Sequence, residues 1–139
     1  MRYGGRCAVD NFALLVTALG ENFPYPVHVD LPHKFELKEL PTIGLFSAGP
    51  AERRPGLNVL GVDVEDIDLH FFVSPEMMRS GEAMKRAAIL RIFLARVRAD
   101  STRVLDVTRP EIMLDRNPRV KRIGLTVSIA SPIDESNFL

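Results

Sequence analysis

Four carboxylates and an imidazole crowd into one short stretch, DVEDIDLHFF (63–72): Asp63, Glu65, Asp66, Asp68 and His70. These are the ligand types of a hard divalent cation, and of the hydrolysis that such a cation assists. A cation site needs several oxygens converging at about 2.0–2.6 Å. Alternate residues on a strand lie about 7 Å apart, so a second element must contribute ligands. Asp106, Glu111 and Asp115 are scattered through a later segment, and His28 and His33 flank VDLP without a His-x-x-x-His or His-Glu-x-x-His spacing. The stretch therefore has two readings. One is a small metal-dependent hydrolase or nuclease built on Asp66, Asp68 and His70. The other is a strand with one wet acidic face, whose chemistry is recognition.

Other reaction chemistries lack their residues. No Gly-x-Ser-x-Gly, phosphate-binding loop or Gly-x-Gly-x-x-Gly follows a strand pattern. Cys7, the single cysteine, sits in the Gly-rich leader MRYGGRCAVD with no periodic structure around it. A lone cysteine also excludes an internal disulfide framework and points to a reducing compartment. The reading is of a chain with no catalytic residues, no metal and no cofactor.

The elements that must position these residues follow from periodicity. Asp10 or Asn11 caps a helix through about Glu21, because Phe12, Leu15, Val16 and Leu19 share one face and Pro24 and Pro26 forbid continuation. VHVDLP (27–32) and PTIGLFSAG (41–49) read as strands, with a loop at HKFELKEL (33–40). PAERRPGLN (50–58), holding Arg53 and Arg54, reads as a mobile contact loop. In the acidic stretch, Val62 and Val64 have one parity while Ile67, Leu69, Phe71 and Val73 have the other. That switch predicts a β-bulge or a bend near Glu65–Asp66, after which Asp66, Asp68 and His70 share the wet face.

Ser74–Pro75–Glu76 starts a second helix, expected to reach about Ala99 with a loosened turn at Ser80–Gly81. Its second half, AAILRIFLARV (87–97), is apolar nearly all round and interrupted only by Arg91 and Arg96. One apolar stripe suffices to cover a sheet; the excess around Arg91, Phe93 and Arg96 points to a subunit interface. VLDVTRPEIML (104–114) and RVKRIGLTVSIA (119–130) flank the turn Asp115–Arg116–Asn117–Pro118 and form a hairpin. The order α-β-β-β-α-β-β predicts an α+β domain. It is a mostly antiparallel sheet of about five strands with two helices packed on one face.

The 139 residues suit a single domain, which buries roughly 68% of its unfolded surface. We read 1–9 as a flexible leader, 10–131 as the domain and 132–139 as a tail. The leader has no apolar core of a signal peptide, and no apolar run is long enough for a membrane helix. Lys+Arg and Asp+Glu balance at 18 each, so the whole chain is not an electrostatic nucleic-acid binder. Charge is nonetheless unevenly placed. Arg116, Arg119, Lys121 and Arg122 cluster at the hairpin tip, opposite in sign to the acidic strand. In a ring of identical subunits, one protomer's basic tip would meet the next one's acids, a heterologous contact that closes by rotation.

The layout over residues 10–131 resembles the tail terminator (tail completion) proteins of long-tailed, non-contractile bacteriophages. The resemblance runs through DNFALLVTALG, LPTIGLFSAG, the strand ending FFVSP, EAMKRAAILRIFLARVRA and, most tellingly, TRPEIMLDRNPRVKRIGLTVSIA. In that last piece Arg109, Pro110, Asp115, Pro118, Val120 and Arg122 are similar to the family's last two strands. The leader MRYGGRCAV and the tail SPIDESNFL are not covered.

The resemblance implies a structural virion protein assembled in the host cytoplasm. Such a protein forms a ring, six-membered, on the head-proximal end of the tail tube and stops tube polymerisation. It presents a surface to the neck proteins while viral DNA passes through the lumen. It implies no catalytic residues, no cofactor and no membrane. Asp63, Glu65, Asp66 and Asp68 would then face the lumen and keep DNA from sticking. A neck connector, or stopper, is an alternative within the same particle.

Overall fold

The computed structural model describes residues 10–30, 40–54, 61–115 and 117–132. Cys7 and the leader, His33 and its neighbours, the end of the polar loop, Arg116 and the tail from 133 onward lie outside the described residues. Helix α1 (Asn11–Asn22) starts at Asp10, whose carboxylate accepts from Ala13 N, and ends at Phe23 ahead of Pro24. Strands β1 (Val27–Val29), β2 (Thr42–Ser47), β3 (Glu52–Arg54) and β4 (Val62–Val73) follow. Then come α2 (Pro75–Arg79), α3 (Glu82–Leu94), β5 (Arg98–Ala99), β6 (Thr102–Val107), β7 (Glu111–Met113) and β8 (Lys121–Pro132).

All the strands join one sheet in the order β1-β2-β4-β8-β6-β5, with β3 added to β4 and β7 to β8. Every pairing is antiparallel except β1 with β2. The α+β architecture is the expected one. The spine is β4 against β8, paired without interruption from Val62↔Pro132 to Val73↔Lys121.

One face of this spine makes the core. Ile67, Leu69, Phe71 and Val73 of β4 and Ile123, Val127 and Ile129 of β8 are fully buried there, with Ile43 and Leu45 of β2. Leu15 and Leu19 of α1 and Ala83, Ala87, Leu90 and Leu94 of α3 cover them at helical spacing. Each large side chain so removed from water contributes about 1.5–3 kcal/mol before the cost of ordering it. Phe23, Tyr25, Phe71 and Phe93 form an aromatic wedge between the two helices. Phe93 meets Phe23 edge-on at 5.1 Å, and Arg86 donates to the Tyr25 hydroxyl at 2.8 Å.

The structure has more strands than expected, for local reasons. The loop segment at Arg53 and Arg54 extends as β3 and pairs with Val62–Val64. The long helix divides at Gly81, whose φ of 84° lies in the left-handed region that favours glycine. It then stops at Leu94, five residues before the expected end. Val97 is buried by hydrogen bonding to Val104 rather than by continuing the helix, and Arg98–Ala99 turn back through Asp100 (φ 54°) as β5. Ser131 and Pro132, expected near or in the tail, extend β8.

The predicted bulge in the acidic strand is absent. The register of β4 against β8 is continuous through Glu65↔Ile129 and Asp66↔Ser128. The parity switch has another cause: cover changes sides along the strand. Val64 is buried on the face away from the helices, beside Ala130 of β8, while Ile67 onward is buried beneath them. The irregularities fall in the partner strand instead. β6 shifts register between Val104 and Asp106, and Val107↔Val127 is followed by Glu111↔Gly124, one extra residue against β8.

Candidate functional site

Without the bulge, the acids divide between the two faces. Glu65 points to the helix side, where Asn11 Nδ2 donates to it at 2.8 Å, and Asp63 shares its parity. Asp66, Asp68 and His70 lie on the open face, beside Ser128, Thr126 and Gly124 of β8. The four acids, expected to face a lumen together, are divided two and two between the faces. Asp106 joins Asp66 across Ser128, and Glu111 joins His70 across Gly124, so the open face gathers acids from three strands, β4, β6 and β7.

Each central acid is held by a hydroxyl. Ser128 Oγ donates to Asp66 at 2.6 Å and Thr126 Oγ1 to Asp68 at 2.7 Å, short as bonds to a carboxylate are. None of Asp66, Asp68, Asp106 and Glu111 is in an ion pair among the described residues. Where the chain leaves β8 between Thr108 and Glu111, a cavity of about 270 Å³ opens, lined by Asp68, His70, Arg109, Glu111 and Thr126 among others. The absence of a side chain at Gly124 leaves its floor to Met113, which lies across that glycine.

His70 sits between Phe46 and Phe72, with ring centroids at 4.8 and 6.2 Å. Burial lowers its pKa below the usual 6.5. Arg122, with Nη1 at 3.5 Å from Nδ1, lowers it further against the opposing pull of Asp68 and Asp115. A neutral imidazole next to two aromatic rings and a guanidinium is packed as a structural group. Among the described residues no group of three or more His, Cys, Asp and Glu side chains is placed to hold a metal ion. His28 lies in β1, in one row with His70 across Gly44 of β2, and Asp115 is spent on Arg122.

The basic tip is smaller than the sequence suggests. Arg122 Nε and Nη2 both donate to Asp115 Oδ2, at 3.1 and 2.8 Å, and its guanidinium lies 5.0 Å over Phe72. Arg122 is thus bound within the chain. Arg119 and Lys121 are exposed, and neither is in an ion pair among the described residues.

On α3, Arg91 donates to the Val107 carbonyl at 3.0 Å and Phe93 packs on Phe23, so both serve the fold, while Arg96 is exposed. The residues that carry the helix's excess are Ile89, 50% exposed, and Ile92, 56% exposed. Sequence reasoning placed the interface at Arg91, Phe93 and Arg96 and passed over Ile89 and Ile92. Ile89 lies four residues beyond Lys85 and Ile92 three beyond Ile89, so the helical period sets the three in one row of α3, and that spacing is readable in the sequence.

No protein-family model matches the chain, and no curated protein matches it. Among solved structures, it is similar to a chain of the virion of a native gene transfer agent particle. The two are 19% identical with a TM-score of 0.47, over 90% of this chain and 85% of that one. A likeness of that degree is too distant to define a role.

Proposed function

We propose that this chain is a structural virion subunit that forms a ring of six copies on the end of a phage tail tube. The ring stops tube polymerisation and gives the neck its attachment surface. The observation that carries this reading is the outer row of α3: two isoleucines half in water on a helix whose inner face is already fully used. Large apolar side chains in a row mark a contact surface. The resemblance of residues 10–131 to tail terminators supplies the kind of assembly, and the hydroxyl-tied acids of the open face supply no catalytic constellation.

Sedimentation of the purified protein over a wide concentration range, with electron microscopy of the same samples, tests this reading. Closed six-fold rings, alone or on added tail tubes, are expected. A chain that stays monomeric at every concentration and ignores tube ends overturns it.

In such a ring the open face, with Asp66, Asp68 and Asp106, turns to the lumen, where its charge repels DNA phosphates. Asp66→Lys with Asp68→Lys should leave rings intact and depress DNA delivery; unchanged infectivity would sink the lumen assignment.

A further inference from the structure

Among the described residues the sheet ends on β1 and β3 at one side and on β5 and β7 at the other, so β1 and β7 lie at opposite sides. Among the described residues β1 pairs only with β2, and β7 only with β8. Both edges carry exposed apolar side chains on the helix-bearing side: Val29 is 43% exposed in β1 and Ile112 is 65% exposed in β7, with Leu114 beside it at 99%. An open edge of this kind is a template for another strand. Strand directions also match. β7 runs against β8, β8 against β4 and β4 against β2, while β1 runs with β2. If a rotation carries the sheet onward into a second copy, β7 of the first copy and β1 of the second are antiparallel.

We infer that these edges join: β7 of one copy pairs with β1 of a second copy, and the sheet continues from subunit to subunit. The inference rests on the ring reading above and deepens it by naming the contact. Each copy uses β7 once and β1 once, so a closed ring leaves neither edge open.

The hydrogen-bonding directions restrict the register. In β1 the Pro26 carbonyl accepts from Ile43 N and Asp30 N donates to Leu45 O. Alternation then turns the backbone groups of Val27 and Val29 outward. In β8, Thr126 bonds to Thr108, so Gly124 and Arg122 face β7 and hold Glu111 and Met113 inward. The outward N–H and C=O of β7 therefore belong to Ile112, which must lie opposite Val27 or Val29 of the second copy.

Charge decides between them. With Ile112 opposite Val29, Glu111 faces Asp30, two acids together. With Ile112 opposite Val27, Glu111 faces His28, and Arg109 comes level with Asp30, where β1 ends at a φ of 51°, bringing opposite charges together. Neither Arg109 nor Asp30 is in an ion pair among the described residues of the isolated chain. Pro110, which has no N–H to offer, then lies opposite Val29 and needs only to accept from it.

Disulfide trapping tests this register. Glu111 and His28 form a non-hydrogen-bonded pair, the closely spaced kind that brings Cβ atoms within about 4.5–5.5 Å, near the reach of a disulfide. In a Cys7→Ser background, the Glu111→Cys, His28→Cys variant is oxidised under conditions where the unsubstituted chain forms rings. A reducible ladder of linked subunits is expected, with none from either single-cysteine variant. Rings that sediment normally but give no ladder overturn the edge pairing and leave the ring reading standing. Absence of rings from the unsubstituted chain, alone and on tail tubes, overturns both. Arg109→Glu, at an exposed position, guards against misfolding of the cysteine variant. It should weaken assembly tenfold or more with an unchanged melting temperature, and undiminished assembly counts against the pairing.

Discussion

Arg122 ties the open face to the hairpin turn. Its guanidinium shares Asp115 with the turn itself, since Asp115 Oδ1 accepts from Asn117 N at 2.9 Å while Oδ2 takes Arg122. Both side chains of the ion pair are largely buried, at 29% and 13% exposure. Asp115→Ala removes the turn bond and leaves a poorly solvated cation, so it should cost about 2 kcal/mol, the scale of a hydrogen bond to a charged group. Urea denaturation at neutral pH measures it; a loss under a few tenths would mean that water replaces Asp115. The same guanidinium sets a pH dependence at His70. Burial and Arg122 hold the folded-state pKa of His70 below 6.5, so as pH falls the unfolded chain takes up the proton first. Stability from this group is complete above 6.5 and is lost as pH falls from there through the lower folded value. His70→Gln should flatten the decline in urea midpoint between pH 7.5 and 5.5, whereas an equal decline in parent and variant would assign it to other groups.

At the scale of elements, Gly81 separates α2 from α3. A Cβ there would meet nothing within 4 Å, so the cost of Gly81→Ala comes from the backbone alone at φ 84°. About 1–2 kcal/mol is expected, read from the shift in thermal midpoint; no shift would show that the junction relaxes. The loosened turn at Ser80–Gly81 was legible because glycine and a serine capable of capping stand together; Ser80 Oγ accepts from Glu82 N. The caps at Asp10 and Ser74 and the β6–β8 hairpin were legible for the same reason: their signals lie within a few residues. The parity switch at Glu65–Asp66 was misread because period-two patterning reports which side is covered. It cannot tell a bulge from a change in cover. Deciding between them requires knowing that Val64 abuts Ala130, a contact 66 residues distant in the chain. The hydroxyls of Thr126 and Ser128 were visible as the polar face of their strand. Their partners were visible too, but nothing local joins Asp66 to Ser128 or Asp68 to Thr126. Site residues assembled across strands become visible only with the register.

Across the whole molecule, the two sides of the sheet divide the labour. The helix side supplies stability, and it carries an apolar surplus at the sheet's two edges and in the outer row of α3. The open side carries acids from β4, β6 and β7 with hydroxyls between them, a surface that stays wet without opening the core. This division makes the surplus testable apart from the fold. Lys85, Ile89 and Ile92 follow one another at helical spacing, and the inner residues Ala83, Ala87, Leu90 and Leu94 already fill the core contact. Half-exposed isoleucines away from that contact contribute little to folding, and surface substitutions of this sort stay within about 0.5 kcal/mol. Ile89→Asp with Ile92→Asp should therefore leave the thermal midpoint within a degree or two. If the row is a contact surface, the same change buries two charges against a partner and should reduce incorporation into rings or onto tail tubes at least tenfold. A large fall in midpoint would instead assign the two isoleucines to the chain's own packing. Full incorporation at an unchanged midpoint would show that α3 faces only solvent, and the proposed role would then lose the observation that carries it.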